Sequence, residues 1–111
     1  MSDGDRGGYE LIVTIVSKGN AELVLDAAKQ AGAGGGTIMH GRGAGKHETQ
    51  KFLGIRVEPE KEIVLSAVQN EDVDAVLDAI VKAGKLDEPG HGIAFTMPIS
   101  RITGLVTPNE S

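Results

Sequence analysis

At 111 residues the chain provides one domain with a modest core, and its only aromatic residues, Tyr9, Phe52 and Phe95, leave aliphatic side chains and alanine to fill it. The absence of cysteine excludes a disulfide framework, thiolate metal ligation and a cysteine nucleophile, and no apolar run approaches the roughly 20 residues of a membrane span. The net charge of −5 argues against general nucleic-acid binding, which rests on clustered Lys and Arg.

Residues 1–8 are polar and glycine-rich, unlike a signal peptide, and read as a tail before a domain spanning 9–106. Tyr9 to Val16 is β-rich. A helix is predicted from Ala21 to Ala31 with Val24, Ala28 and Ala31 inward, Asn20 as its N-cap and Gly32 as its stop. A strand at about 36–40 follows. Residues 41–58, with glycines at 41, 43, 45 and 54, form an irregular connection too long for a tight hairpin, and Phe52, Leu53, Ile55 and Val57 show that it is not purely solvated. Glu62 to Val68 reads as the next strand. Val73, Val76, Leu77, Ile80 and Val81 then keep the i, i+3, i+4, i+7, i+8 spacing of one helix face, between Asp72 and Gly84. A strand at about 93–97 and a short final strand at 99–105, after Pro98, complete the domain. Residues 107–111 are a second tail. With no targeting signal, the cytoplasm is the expected location.

The chain repeats itself at an offset of 52 residues: Val24-Leu25-Asp26-Ala27 recurs as Val76-Leu77-Asp78-Ala79, and Ala31-Gly32 as Ala83-Gly84. Leu11-Ile12-Val13 sits opposite Ile63-Val64-Leu65 in the same register. Two βαβ halves predict an α+β, ferredoxin-like βαββαβ fold. Its strands are apolar on both faces, since Leu11, Val13 and Ile15 alternate with Ile12 and Val16. Helices cover only one face of such a sheet, so the other is predicted to be buried in an oligomer.

Charge is uneven along the chain. Residues 42–61 hold five basic residues against three acids, whereas 71–88 hold six acids against two lysines. The basic stretch overlaps one of two glycine-rich segments, Gly32 to Thr37 continuing through Gly41-Arg42-Gly43-Ala44-Gly45-Lys46; the other is Pro89-Gly90-His91-Gly92. Successive amides of such segments can line an anion site, and Arg42, Lys46 or His91 could add charge. Neither standard phosphate motif is complete, because His40 stands where a P-loop requires glycine and Thr37 ends a would-be dinucleotide fingerprint. Glycine content alone leaves open whether these segments bind an anion or simply turn the chain. His40, His47 and His91 lack metal-ligand spacing, and Ser17, Ser66 and Ser100 sit outside any nucleophile turn, so neither a metal site nor an enzyme is expected.

Gly35-Gly36-Thr37, Gly43-Ala44-Gly45-Lys46 and Gly90-His91-Gly92, set in a βαββαβ repeat with a long central loop, resemble the PII signal-transduction proteins. The similarity covers about 9–105. It implies a homotrimer with sheets facing inward and an adenine nucleotide (ADP, AMP or ATP) in clefts between subunits. Gly36 and Thr37 would lie near the base, and Gly43, Gly45, Lys46, Gly90, His91 and Gly92 near the phosphates, with Gly35, Arg42 and Ala44 completing the nucleotide-binding set. Residues 41–58 would be the T-loop, reporting the ligand to a partner such as a membrane transporter or metabolic enzyme, with no nucleic acid and no direct membrane insertion. The chain departs from the family at Ile93 and His91, where a lysine and an aspartate are usual, and at Gly104 and Val106, where arginines are usual. The T-loop also lacks tyrosine and serine for modification, and His47 replaces the glutamine of the usual 2-oxoglutarate site. Similar architecture is shared by CutA-like trimers, which are linked to divalent metals and form the alternative reading. An acylphosphatase-like domain would need an arginine after the first strand, and Ser17-Lys18-Gly19-Asn20 has none.

Overall fold

Alternation of apolar residues along two long strands, each followed by an amphipathic helix, builds one antiparallel sheet covered on a single face. The computed structural model describes residues 8–45 and 50–104. In chain order the elements are β1 (Tyr9–Ser17), α1 (Ala21–Gln30), β2 (Thr37–Arg42), β3 (Gln50–Phe52), β4 (Ile55–Val57), β5 (Glu60–Gln69), a 3₁₀ turn (Asn70–Asp72), α2 (Val73–Gly84) and β6 (Gly92–Ile99). The main sheet has the order β2-β5-β1-β6, with every neighbouring pair antiparallel, while β3 and β4 form a separate two-stranded sheet. No helix among the described residues is long and apolar enough to cross a membrane.

The 52-residue repeat is the structural repeat. β1 and α1 correspond to β5 and α2, and the register slips only at the return strand, where Lys85 to Pro89 lengthen the second helix–strand turn. Ile12 and Val16 of β1, Val64 and Val68 of β5, Val24 and Ala28 of α1, and Val73, Val76 and Ile80 of α2 form the core. Burying each of the larger aliphatic side chains contributes roughly 1.5–3 kcal/mol. Thr14 and Ser66 also lie in this layer, with hydroxyls that find no hydrogen-bond partner among the described residues.

Two local expectations are refined and two corrected. Asn20 and Asp72 stand at the expected N-cap positions, but neither makes a side-chain cap bond. Gly84 ends α2, but the left-handed residue is the next one, Lys85, at φ 54°. Glycine at 84 has another reason, since a Cβ there would stand 3.0 Å from Leu86 Cδ2. Pro98 does not break the return strand. β6 runs through it to Ile99, which an edge strand tolerates because alternate N–H groups there have no ladder partner. The expected strand at 99–105 is therefore replaced by the end of β6 and a single bridge residue, Ile102, as far as the described residues run. Finally, the central connection is not irregular throughout, because Gln50–Phe52 and Ile55–Val57 pair as a hairpin.

The cap that Asn20 fails to supply comes from 42 residues further along. Glu62 Oε1 accepts hydrogen bonds from the N–H of Ala21 at 2.9 Å and of Gly19 at 3.0 Å. Its other oxygen, Oε2, lies 3.8 Å from His40 Nδ1. The carboxylate thus ties β5 to the start of α1, satisfying N–H groups that a helix leaves without internal partners. The Ala21 bond is the main reason the Glu62 carboxyl is held below its ordinary value of 4.5, with the Gly19 bond, His40 and Lys18 adding to it against the opposing effect of desolvation. A depressed folded-state pKa means stabilisation that is complete above the unfolded value and lost as pH falls through the folded one. Glu62→Gln should therefore melt a few degrees below the wild type at pH 7. The gap should close as pH falls through the depressed folded-state value, where the wild-type carboxyl itself becomes neutral. Thermal melts at a series of pH values check this; a gap that persists unchanged into acid would remove the carboxylate from the account.

Candidate functional site

The uncovered face of the sheet carries Leu11, Val13 and Ile15 of β1, Ile63 and Leu65 of β5, Met39 of β2, and Ile93, Phe95 and Met97 of β6, placed side by side by the strand register. Met39, Ile93, Phe95 and Met97 are exposed in the single chain. At one end of this face, four strand ends meet: β1 is finishing, β5 and β6 are starting, and β2 is running out into the central connection.

A cleft of about 300 Å³ opens there. Its walls are Ile15, Ile63 and Ile93, its rim is the backbone from Gly41 to Gly45, and Gly92 and Lys61 close it. The glycines differ in what they require. Gly41 pairs with Lys61 across the ladder, and a Cβ on it would only touch Ile63 Cδ1 at 3.5 Å. Gly92 is different, because its φ is 140° and a Cβ would stand 2.3 Å from the carbonyl oxygen of Ile15. No side chain can occupy that position without moving β6 off β1. The chain after β2 is also tethered, through the Gly43 N–H to the Pro59 carbonyl at 3.2 Å.

Electrostatically the cleft is one-sided. Among the described residues, Arg42 and Lys61 are its charged lining residues and no acid lines it, although the chain as a whole is acidic. Lys61 is only 8% exposed. A largely buried lysine lining a cleft with glycine backbone and aliphatic walls suits a ligand with an anionic end and an apolar body.

Of the residues singled out from sequence, the structure brings Arg42, Gly43, Ala44, Gly45 and Gly92 to this cleft. Gly35, Gly36 and Thr37 lie elsewhere. Thr37 pairs with Leu65, four residues along β2 from Gly41, or about 13 Å at the rise of a strand. Gly36 packs against β5, where a Cβ would meet Leu65 O and Ser66 Oγ at 2.8 Å. Gly90 and His91 belong to the turn just before the cleft, with His91 Nε2 3.4 Å from Glu88 Oε1, and do not line it. Lys46 and His47 lie outside the described residues. Lys61 and the three isoleucines were missed. The available signal was the lysine at the head of β5, placed by its parity on the same face as Ile63 and Leu65.

Comparison with known proteins places this arrangement. The family model described as "Nitrogen regulatory protein P-II" matches residues 9–107. One relative, Nitrogen regulatory protein P-II 2 of Methanothermobacter thermautotrophicus, is 30% identical over 102 residues, covering 86% of this chain and 88% of that protein.

Proposed function

The chain belongs to the nitrogen regulatory protein P-II family, and from that premise we propose that it is a signal-transduction protein which binds an adenine nucleotide at the end of its sheet and reports the ligand to a partner protein. The observation that carries this reading is the cleft in which the Gly41 to Gly45 backbone, Lys61 and Gly92 come together, with Arg42 and Lys61 as the charged lining residues among those described. Phosphates suit the glycine amides, Arg42 and Lys46; the aliphatic walls suit a less polar group.

The cleft lies on the uncovered apolar face, so a second copy packed on that face would close it. In a trimer with sheets turned inward, Gly35, Gly36 and Thr37 of one subunit would face the base held by its neighbour, which accounts for their distance from the phosphate end within one chain. His91 and Gly90 would approach from the adjoining turn. Residues 41–58, which leave the cleft directly, form the reporting loop. A nucleotide that binds one arrangement of this loop better than another shifts its population, and a transporter or metabolic enzyme reads the result. With Ile93 rather than a cation at the start of β6, binding of a mono- or diphosphate loses less than binding of a triphosphate.

Calorimetric titration with ATP, ADP, AMP and cyclic AMP, beside a solution mass, tests the reading. A trimer that binds at least one of them, about tenfold more weakly after Lys46→Ala, supports it. A trimer indifferent to all four would overturn nucleotide sensing.

A further inference from the structure

Lys61 reaches the cleft from the end of a ladder. β5 is central in the sheet, but its pairing with β1 stops at the rung of Ser17 and Lys61, so Glu60 has a strand partner only on β2, at Arg42. β2 is itself an edge strand and ends at Arg42. Terminal rungs are the first to fray. Here those rungs carry the site, since Gly41 pairs with Lys61 and Arg42 with Glu60, and Gly41, Arg42 and Lys61 all line the cleft.

The turn between β1 and α1 holds them from the covered side of the sheet. Lys18 meets Glu60 twice, through its N–H to the Glu60 carbonyl at 3.3 Å and through Nζ to Glu60 Oε1 at 3.3 Å. Gly19 and Ala21 donate their N–H groups to Glu62 Oε1 at 3.0 and 2.9 Å. The two anchored residues are the sequence neighbours of Lys61 on either side. Successive side chains of a strand point to opposite faces, so fastening Glu60 and Glu62 on the covered face delivers Lys61 to the uncovered one, beside Ile63 in the cleft. The anchors are unequal. The Lys18–Glu60 ion pair is exposed on both sides and contributes little. The Glu62 side chain is only 13% exposed, and one of its donors is the first N–H of α1, which has no partner inside the helix. Its other oxygen extends toward β2, 3.8 Å from Nδ1 of His40, the residue before Gly41. One carboxylate thus connects the turn, β5 and β2 at the level of the cleft.

We propose that Glu62 is a positioning residue for the cleft: by fastening the start of β5 to the β1–α1 turn, it sets Lys61 and the Gly41–Arg42 rim in the arrangement that receives the ligand's anionic end. The ligand named here rests on the nucleotide reading, whereas the anchoring itself is measurable without any ligand.

Titration of Glu62→Ala and Glu62→Gln with ADP, beside amide hydrogen exchange at Gly43, tests the proposal. Gly43 is the reporter because its N–H bonds the Pro59 carbonyl at 3.2 Å, just beyond the anchored rungs. Glu62→Ala should bind ADP about tenfold more weakly than the wild type, and its Gly43 amide should exchange roughly tenfold faster. Glu62→Gln, whose amide oxygen still accepts both N–H bonds, should keep most of the affinity and of the protection. Ile80→Val, a change in the core of the other helix, controls for lost stability: it should lower the melting temperature and leave both readings at their wild-type values. Wild-type affinity in Glu62→Ala, an unchanged Gly43 exchange rate, or equal weakening by Ile80→Val overturns the proposal. If the wild type takes no adenine nucleotide, the sensing reading falls, and the Gly43 exchange rate alone decides whether Glu62 anchors the cleft.

Discussion

Gly92→Ala is expected to destabilise the protein by about 3 kcal/mol or more, lowering its melting temperature by more than about 10 °C. The methyl group would stand 2.3 Å from the carbonyl oxygen of Ile15, with Val16 Cγ1 and Leu86 Cδ2 at 3.2 and 3.3 Å. The obstructing atom belongs to the backbone of a central strand, so it cannot rotate aside. The backbone at 92 is also in the left-handed region, at φ 140°. Relief requires β6 to lift from β1, which would disturb the ladder from Val16 towards Ile15 and open the cleft at the same end. Gly90→Ala is the control. It lies two residues away at φ 83°, but a Cβ there meets nothing within 4 Å, so its cost should stay near about 1 kcal/mol. Circular-dichroism melts of both variants at one concentration decide the matter. If Gly92→Ala melts no lower than Gly90→Ala, the close approach of β6 to β1 is not a determinant of stability.

The second large effect should come from Val13→Glu. Val13 sits at the middle of the uncovered face, in register with Leu65 on one side and Phe95 on the other. In a single chain the position is partly exposed, so a carboxylate can reach water and the domain can retain its helices and sheet. In a trimer with this face inward, three carboxylates would be brought together without partners, at several kcal/mol of desolvation each. The wild type should run at the mass of three chains and the variant at that of one, and the variant's melting temperature should not rise with protein concentration. Sedimentation velocity on both proteins provides the test. A wild type already monomeric at high concentration, or a Val13→Glu protein with unchanged mass, would remove this face as the assembly surface.

Much of the fold was legible because its signals are local or repeat. The recurrence of Val-Leu-Asp-Ala and the apolar spacing of Val73, Val76 and Ile80 locate the helices without any tertiary information, and the two-sided strands follow from simple alternation. What escaped was set by contacts distant in sequence or by local preference overridden. No pattern around Asn20 shows that Glu62 will cap α1, because the partner is supplied by strand pairing. The hairpin at 50–57 was hidden because Leu-Gly is a poor signal for a turn that ordinarily takes Asn-Gly. Pro98 read as a breaker because nothing local marks β6 as an edge strand. At the cleft, the glycines of 41–45 stood out by composition, whereas Lys61 did not. A single lysine between two glutamates reads as solvated surface until the register places it over Gly41.

The strand order has a consequence for the nascent chain. β1 lies between β5 and β6, both made after it, and β2 touches β5 but not β1. The first half can therefore form its helix but no part of the main sheet, and β1 must wait, apolar on both faces, until β5 has left the ribosome. At about 5–20 residues per second, that exposure lasts for seconds. Pairing over so long a separation then closes late, as it does in folds dominated by non-local contacts. The two βαβ halves look like independent modules in the sequence. In the sheet they are interleaved, and neither can finish folding before the other exists.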